Sequence, residues 1–397
     1  MLDWLVIGGG VHGIHVAVSL LRRARTPLDR LGILDPFPDL LTRWRHCTAN
    51  TGMTWLRSPA VHHLDVGPYD LVDYGRRAPG GKANFSPPYD RPSLALFNTH
   101  AQAVIERHGL PGCHRQGRAE RIHLTPESVR VETSSGVIEA QRALLAIGLG
   151  DQTDWPPWAE ALRSSGRLHH LFDDDFSLAT LAQAPPQPIA VLGGGISAAQ
   201  AAVQLAQSGH TVTLLRRHDL RTHTFDADPG WQGPRNMRIF QAESDIGRRR
   251  ALITEARHRG SLPPDVLEIL QKSPVSQRET TVMGATATPE GLSLELADDT
   301  LCVGHLVLAT GFRRERPGGA LLTSLIEDAN LPCAACGFPI VDRHLRWHPR
   351  LVVTGSLAEL ELGPVARNIS GARRAAERII PLTSPPLGRV VGRRKAS

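Results

Sequence analysis

The chain has 397 residues, 41% of them apolar, enough to bury one large core or two ordinary ones. Its 45 basic residues outnumber 39 acidic ones for a net charge of +6, nearly all arginine; with few aromatics and no nucleic-acid motif, this reads as a solvated surface rather than a nucleic-acid groove. No apolar run approaches the roughly 20 residues that span a bilayer, no charged segment with a cleavage site precedes the first apolar run, and five scattered cysteines imply no disulfide framework, so a cytoplasmic protein without membrane contact is expected.

The first element is a short apolar run, Leu2 to Ile7, followed by Gly8-Gly9-Gly10-Val11-His12-Gly13, an apolar helical stretch and a second run, Leu31 to Leu34, ending on Asp35. Strand, glycine turn, helix, strand and acid in that order predict a dinucleotide-binding unit. Gly8 makes the tight turn, Gly10 lets the backbone approach a pyrophosphate, and Gly13 lets helix and strand pack closely. Val11 and His12 stand in the first turn of the helix, whose free N–H groups and positive dipole end attract an anion. Asp35 then accepts hydrogen bonds from a ribose hydroxyl.

The segment from Thr42 to Pro59 is dense in aromatic, basic and hydroxyl side chains and reads as a loop leaving this unit where a ring system is held. Trp44, Thr51, Met53 and Leu56 are its candidate contacts, with core packing as the alternative for each. Residues 62–92 carry little periodicity and are expected to form an irregular cover over the site. A helical face then runs from Leu94 to Ile105, and short alternating strands follow at 121–124, 129–133 and 137–140, feeding a strand at 143–147.

The opening plan then recurs. Pro188 to Leu192 leads into Gly193-Gly194-Gly195-Ile196-Ser197-Ala198, an alanine-rich helix and the strand Thr211 to Leu215, which ends on Arg216-Arg217 instead of an acid. Guanidinium groups there suit a ribose 2′-phosphate, which a carboxylate would repel. NADPH is therefore expected in the second unit and FAD, whose ribose is bare, in the first. This unit too is followed by a hairpin and a closing strand ending in Ala309-Thr310-Gly311, so the architecture is duplicated. Near the end, the strand Leu351 to Thr354 closes on Gly355-Ser356, and Gly363-Pro364 precedes an apparent helix, Val365 to Ile379, with Pro364 at its first turn and its N-terminus aimed at a ligand.

Other motifs are weaker. Cys333-Ala334-Ala335-Cys336 invites a dithiol relay but lies outside the second nucleotide unit, and with His344 and His348 its spacer is too short for a zinc finger, so no metal is expected. Arg248-Arg249-Arg250 falls in a helical pattern, and Arg389 to Lys395 reads as a disordered end.

With both glycine motifs in hand, the chain resembles the two-dinucleotide flavoproteins and, among them, the class B flavin-dependent monooxygenase group. Gly193-Gly194-Gly195-Ile196-Ser197-Ala198-Ala199 is similar to the GGGQSAAE stretch of the N-hydroxylating branch, with Ile196 where that branch has Gln. Leu308-Ala309-Thr310-Gly311-Phe312 looks like the group's ATG(Y/F) linker, and Gly166 and His170 match part of its FxGxxxH signature, with Ser164 at the Phe position. Ser356 stands where disulfide-reductase relatives carry an acid. The resemblance implies an α/β fold of two Rossmann-like domains: an FAD domain of residues 1–180 and 305–397, and an NADPH domain, residues 181–304, inserted in it. It implies a small-molecule substrate, molecular oxygen and a C4a-oxygen flavin adduct. A reductase, an oxidase and a flavin-binding sensor stay open as alternatives. His170 is the single, weak catalytic candidate; oligomeric state is not readable.

Overall fold

The computed structural model describes residues 1–383, so the basic stretch Arg389 to Lys395 lies outside the described residues. The first strand, β1 (Leu2–Ile7), is apolar and buried; it pairs in parallel with β2 (Leu31–Asp35) across α1 (Val11–Arg22). The turn between β1 and α1 is forced by glycine. Gly8 has φ +115°, and a side chain there would overlap the Ala146 carbonyl. Gly13 lies so close to β1 that a Cβ would collide with the Gly8 carbonyl oxygen, whereas a Cβ on Gly10 meets nothing within 4 Å.

Around this unit the first sheet has the order 346–348, 351–353, 136–145, β1, β2, 114–116, with the strands 119–124 and 129–133 folded back as an antiparallel meander. The strands expected at 137–140 and 143–147 are one continuous strand, Gly136–Leu145, because both halves pair: one with the meander, the other with β1. The second sheet is all parallel, in the order 276–279, 211–216, 188–192, 305–308, 168–170. A three-stranded antiparallel sheet, 282–287, 292–296 and 300–303, caps it.

The second unit is thus inserted in the first, because Leu351–Val353 returns to pair in parallel with Gly136–Leu145 and the helix Ile369–Ile379 packs on α1. The crossing points differ from the expected boundaries at 180 and 305. Leu168–His170 and His305–Leu308 pair with each other inside the second sheet, which therefore takes up the chain earlier and releases it later. Two further readings change. Thr42 to Asn50, expected as loop, is a helix, α2, and the cover segment contains a helix, Asp70–Arg77. The last helix starts at Ile369 with Asn368 as its cap, not at Val365. Among the described residues no helix is long and apolar enough to cross a membrane.

Several imidazoles are buried as neutral groups. Burial lowers His15 to about 3, and His63 and His170 to about 4, and each ring is hydrogen-bonded, His15 to the Leu64 carbonyl at 2.9 Å. Arg249 and Arg250 of the basic triplet are paired with Glu361 and Glu359.

Two outcomes follow from this packing. Gly13→Ala should cost about 3 kcal/mol, since its obstacle is backbone, and Gly10→Ala less than about 1 kcal/mol, read from urea midpoints; equal losses would contradict the close approach. The neutral histidines have folded values below the unfolded 6.5, so between the two values the unfolded chain binds more protons. Stability should therefore fall as pH drops below about 6.5, by about 1.4 kcal/mol per pH unit per buried ring. His15→Asn should flatten the decline, measured as the urea midpoint between pH 7.5 and 5; an unchanged slope would count against it.

Candidate functional site

Both glycine turns lie at the C-terminal edges of their sheets, where ligands of open α/β sheets bind. At the first, Asp35 does structural work: the Gly9 N–H donates to its Oδ2 at 2.6 Å and the Phe37 N–H to its Oδ1 at 3.1 Å. Burial raises this carboxyl above its ordinary range against the pull of those two donors. Neither α1 nor the helix Ile369–Ile379 has a side-chain cap, so first-turn N–H groups of both, apart from that of Gly371, which bonds the Asn368 carbonyl at 2.9 Å, are left for other acceptors.

His12 stands between these helix ends. Its Nδ1 contacts Thr354 Oγ1 at 3.0 Å, its Nε2 is buried without a hydrogen-bond partner, and burial lowers the ring to about 4 beside the backbone of Arg367 and Asn368. Gly355, at φ +64°, lies beside this ring, where an added Cβ would come within 3.8 Å of Nδ1, and Ser356 follows it, buried. Pro364, expected at the first turn of the last helix, lies in the preceding turn, where its carbonyl accepts from Arg257 at 2.9 Å. The helix start is displaced because residues 363–368 are taken up by turns, as in the Asn368 N–H bond to the Val365 carbonyl.

At the second turn, Gly193 is wedged against the Ala309 carbonyl, Gly195 lies 3.3 Å from Gly260 when given a Cβ, and Ala198 is buried in the core beside the half-buried Ser197. Arg216 and Arg217 part company. Arg216 is held by Glu279 at 2.6 Å and by Asp219 at 3.3 Å, while Arg217 is exposed and makes no ion pair among the described residues. The pairing arises because Glu279 comes from the neighbouring strand in register with Arg216.

Between the two units opens a cavity of about 540 Å³. The first unit contributes Trp44, Met53 and Leu56 to its wall, and the second Ile196, Phe225 and Pro229. Trp44 is fixed by donating to Asn98 at 3.0 Å and by packing on Phe97. Thr51 does not reach the wall: it is buried at the end of α2, bonded to the Thr48 carbonyl at 2.9 Å.

His170 does not line this cavity either. Its Nδ1 accepts from the Phe172 N–H at 3.2 Å, which assigns the proton to Nε2, facing Thr310 Oγ1 at 3.2 Å; Thr310 in turn donates to the Asp154 carbonyl at 2.5 Å. Both ring nitrogens are engaged, and the ring ties the linker at Thr310-Gly311 to the neighbouring strand. Cys333 and Cys336 are free thiols away from the cavity, and among the described residues no group of side chains is arranged to hold a metal.

Several wall residues escaped the sequence reading. His62 and Tyr89 belong to the cover segment, and Phe225 and Asp226 to the interruption of the second unit. Arg57 had no signal, because three of its four acceptors are backbone, the carbonyls of His223, Thr224 and Phe225 at 2.6–3.0 Å, and the fourth is the distant Ser261 hydroxyl.

No family model and no curated relative matches this chain. Solved structures do. The ornithine hydroxylase PvdA from Pseudomonas aeruginosa superposes with a TM-score of 0.76 at 22% identity, over 96% of this chain and 98% of that one. The L-lysine 6-monooxygenase from Pseudomonas syringae gives 0.75 at 20% identity over 96% and 99%, and the ornithine N-hydroxylase KtzI from Kutzneria, described with reduced FAD, NADP+ and L-ornithine, 0.75 at 17% over the same shares. The likeness read from the glycine motifs thus extends over the whole architecture: the chain has the two-unit fold of the ornithine and lysine N-hydroxylating flavin monooxygenases.

Proposed function

We propose that the protein is an FAD-containing, NADPH-dependent monooxygenase acting in the cytoplasm on a small molecule, with transfer of one oxygen atom from O2 to a nitrogen, sulfur or carbonyl centre. The observation that carries this reading is the cavity whose wall is shared by both glycine-turn units, so that rings borne on two dinucleotides can meet there.

The residues present fit FAD in the first unit. The space over Gly10, the two uncapped helix ends and the orphaned Nε2 of His12 together suit a diphosphate: neutral His12 with Nδ1 turned to Thr354 offers one N–H donor without adding charge. Asp35 keeps a lone pair on each oxygen for a ribose after accepting from Gly9 and Phe37. Trp44, Met53 and Leu56 supply apolar wall for the ring. In the second unit Gly193, Gly195, Ile196 and Ser197 frame the helix N-terminus, and Arg217 is the arginine free to take a 2′-phosphate. When bound, FAD supplies a hydride acceptor for NADPH and, once reduced, a partner for O2. The chain's own part is to orient, to exclude water with its apolar wall and to hold charges in place.

The purified protein should carry one FAD, and rapid mixing of the NADPH-reduced protein with O2 should give an absorbance transient distinct from oxidised and reduced flavin before reoxidation. Direct reoxidation, with turnover abolished by Cys333→Ser plus Cys336→Ser, would favour a reductase instead. For the second nucleotide, Arg217→Ala should raise KM for NADPH about 10-fold, the loss of one charge-assisted contact, and leave NADH use nearly unchanged. Arg216→Ala should shift cofactor preference less; equal losses with both nucleotides would contradict the assignment.

A further inference from the structure

The second glycine turn offers an anion its backbone but little charge. The helix Ile196–Gln207 begins at Gly195 without a side-chain cap, so its first N–H groups are free, and of the two arginines at the following strand end Arg216 is spent on Glu279. Charge reaches this turn from another part of the chain. The segment 257–262, which follows the helix Ile246–Ala256, crosses it so closely that a Cβ on Gly195 would lie 3.3 Å from the Gly260 Cα.

Four guanidinium groups gather there. Burial first, then Arg314, Arg367 and Arg257, hold Arg259 below the ordinary arginine range. Two of the four are neutralised, Arg257 by Asp226 at 2.6 Å and Arg367 by Glu359 at 2.8 Å. The one carboxylate that acts on Arg259 is that same Asp226, already committed to Arg257. Arg259 and the exposed Arg314 make no ion pair among the described residues. Arg259 gives one amino group to the Phe312 carbonyl at 3.3 Å, which ties it to the linker after Thr310-Gly311, and its other N–H groups make no hydrogen bond among the described residues. Like charges gathered without a counter-ion repel one another, and an anion placed among them turns that repulsion into attraction.

The position suits one part of a dinucleotide. Ile196, the first residue of the helix, lines the cavity between the units, and Arg217 follows the adjacent strand, Thr211–Arg216. A nucleotide whose 2′-phosphate meets Arg217 and whose nicotinamide reaches the cavity must carry its diphosphate past the helix start between them. We propose that Arg259, supported by Arg314, holds the diphosphate of NADPH, so that the segment interrupting the second unit, and not the glycine motif, supplies the charge for it; this rests on the assignment of NADPH to the second unit. A guanidinium forks across two phosphate oxygens, and its loss is felt by any nucleotide with a diphosphate, whether or not a 2′-phosphate is present.

Two fragments of the cofactor separate the contacts. ADP-ribose has the diphosphate and no 2′-phosphate; 2′-AMP has the 2′-phosphate and no diphosphate. Each is measured by equilibrium dialysis against the FAD-loaded, oxidised protein. Arg259→Met should weaken ADP-ribose binding about 10-fold and leave 2′-AMP nearly unchanged, whereas Arg217→Ala should do the reverse. Arg259→Lys, which keeps the charge but not the fork, should recover part of the loss. Unchanged ADP-ribose binding in Arg259→Met, or a loss shared equally by both fragments, would overturn the proposal and leave the nucleotide assignment standing. Should Arg259→Met fail to retain FAD, the unsubstituted protein decides: rising ionic strength should weaken ADP-ribose binding, and insensitivity to salt would refute the contact. Binding of neither fragment to the unsubstituted protein would remove NADPH from the second unit, and the proposal with it.

Discussion

The fold depends on one close approach, that of Gly13 to the carbonyl of Gly8. Because no Cβ intervenes, α1 starts directly at the end of β1, and its N-terminus is placed at the sheet edge rather than beyond it. Neighbouring features are referenced to that point: the Gly9 bond to Asp35 fixes β2, the Thr354 contact orients His12, and the last helix packs on α1. Had α1 been pushed outward by a methyl group, the convergence of two uncapped helix ends would be lost with it.

Polar side chains reaching backbone help join the two units, beside an apolar cluster of Met237, Phe240 and Ile253 with Phe338 and Leu360 and the ion pairs of Arg249 and Arg250. Asn50, buried at the end of α2, donates to the carbonyls of Leu171 and Phe176 and accepts from the Leu178 N–H, so both ends of its amide are used across the junction. Arg43 reaches the Gly150 and Phe172 carbonyls and Asp174, and Arg57 the 223–225 turn. These tethers set the width of the cavity between Trp44 and Ile196. They also explain why α2 is helical: its sequence has weak periodicity, and the helix is held by what its side chains grip.

What could be read in advance was local. Gly8, Gly13 and the Asp35 strand end declare themselves because a turn, a close approach and a carboxylate each require a residue type at a set spacing, and the parallel strands were visible as apolar runs. The pairing of Arg216 could not be foreseen, because the strand carrying Glu279 is 63 residues away and its register with Arg216 has no trace in either segment alone. Pro364 was misread because turn and helix share composition there. His170 drew attention as a motif member, and its contact with Thr310, 140 residues away, could not be read from the motif.

The position of Leu351–Val353 has a consequence for how the protein is made. This strand is the neighbour that Ala143–Leu145 requires on the side away from β1. During synthesis the first sheet therefore waits, with one edge of a buried strand unpaired, while the whole of the inserted unit and its flanking segments emerge, the unit folding on its own local contacts. The unit that begins first is completed last, and the interval leaves apolar β-structure open to association with other chains.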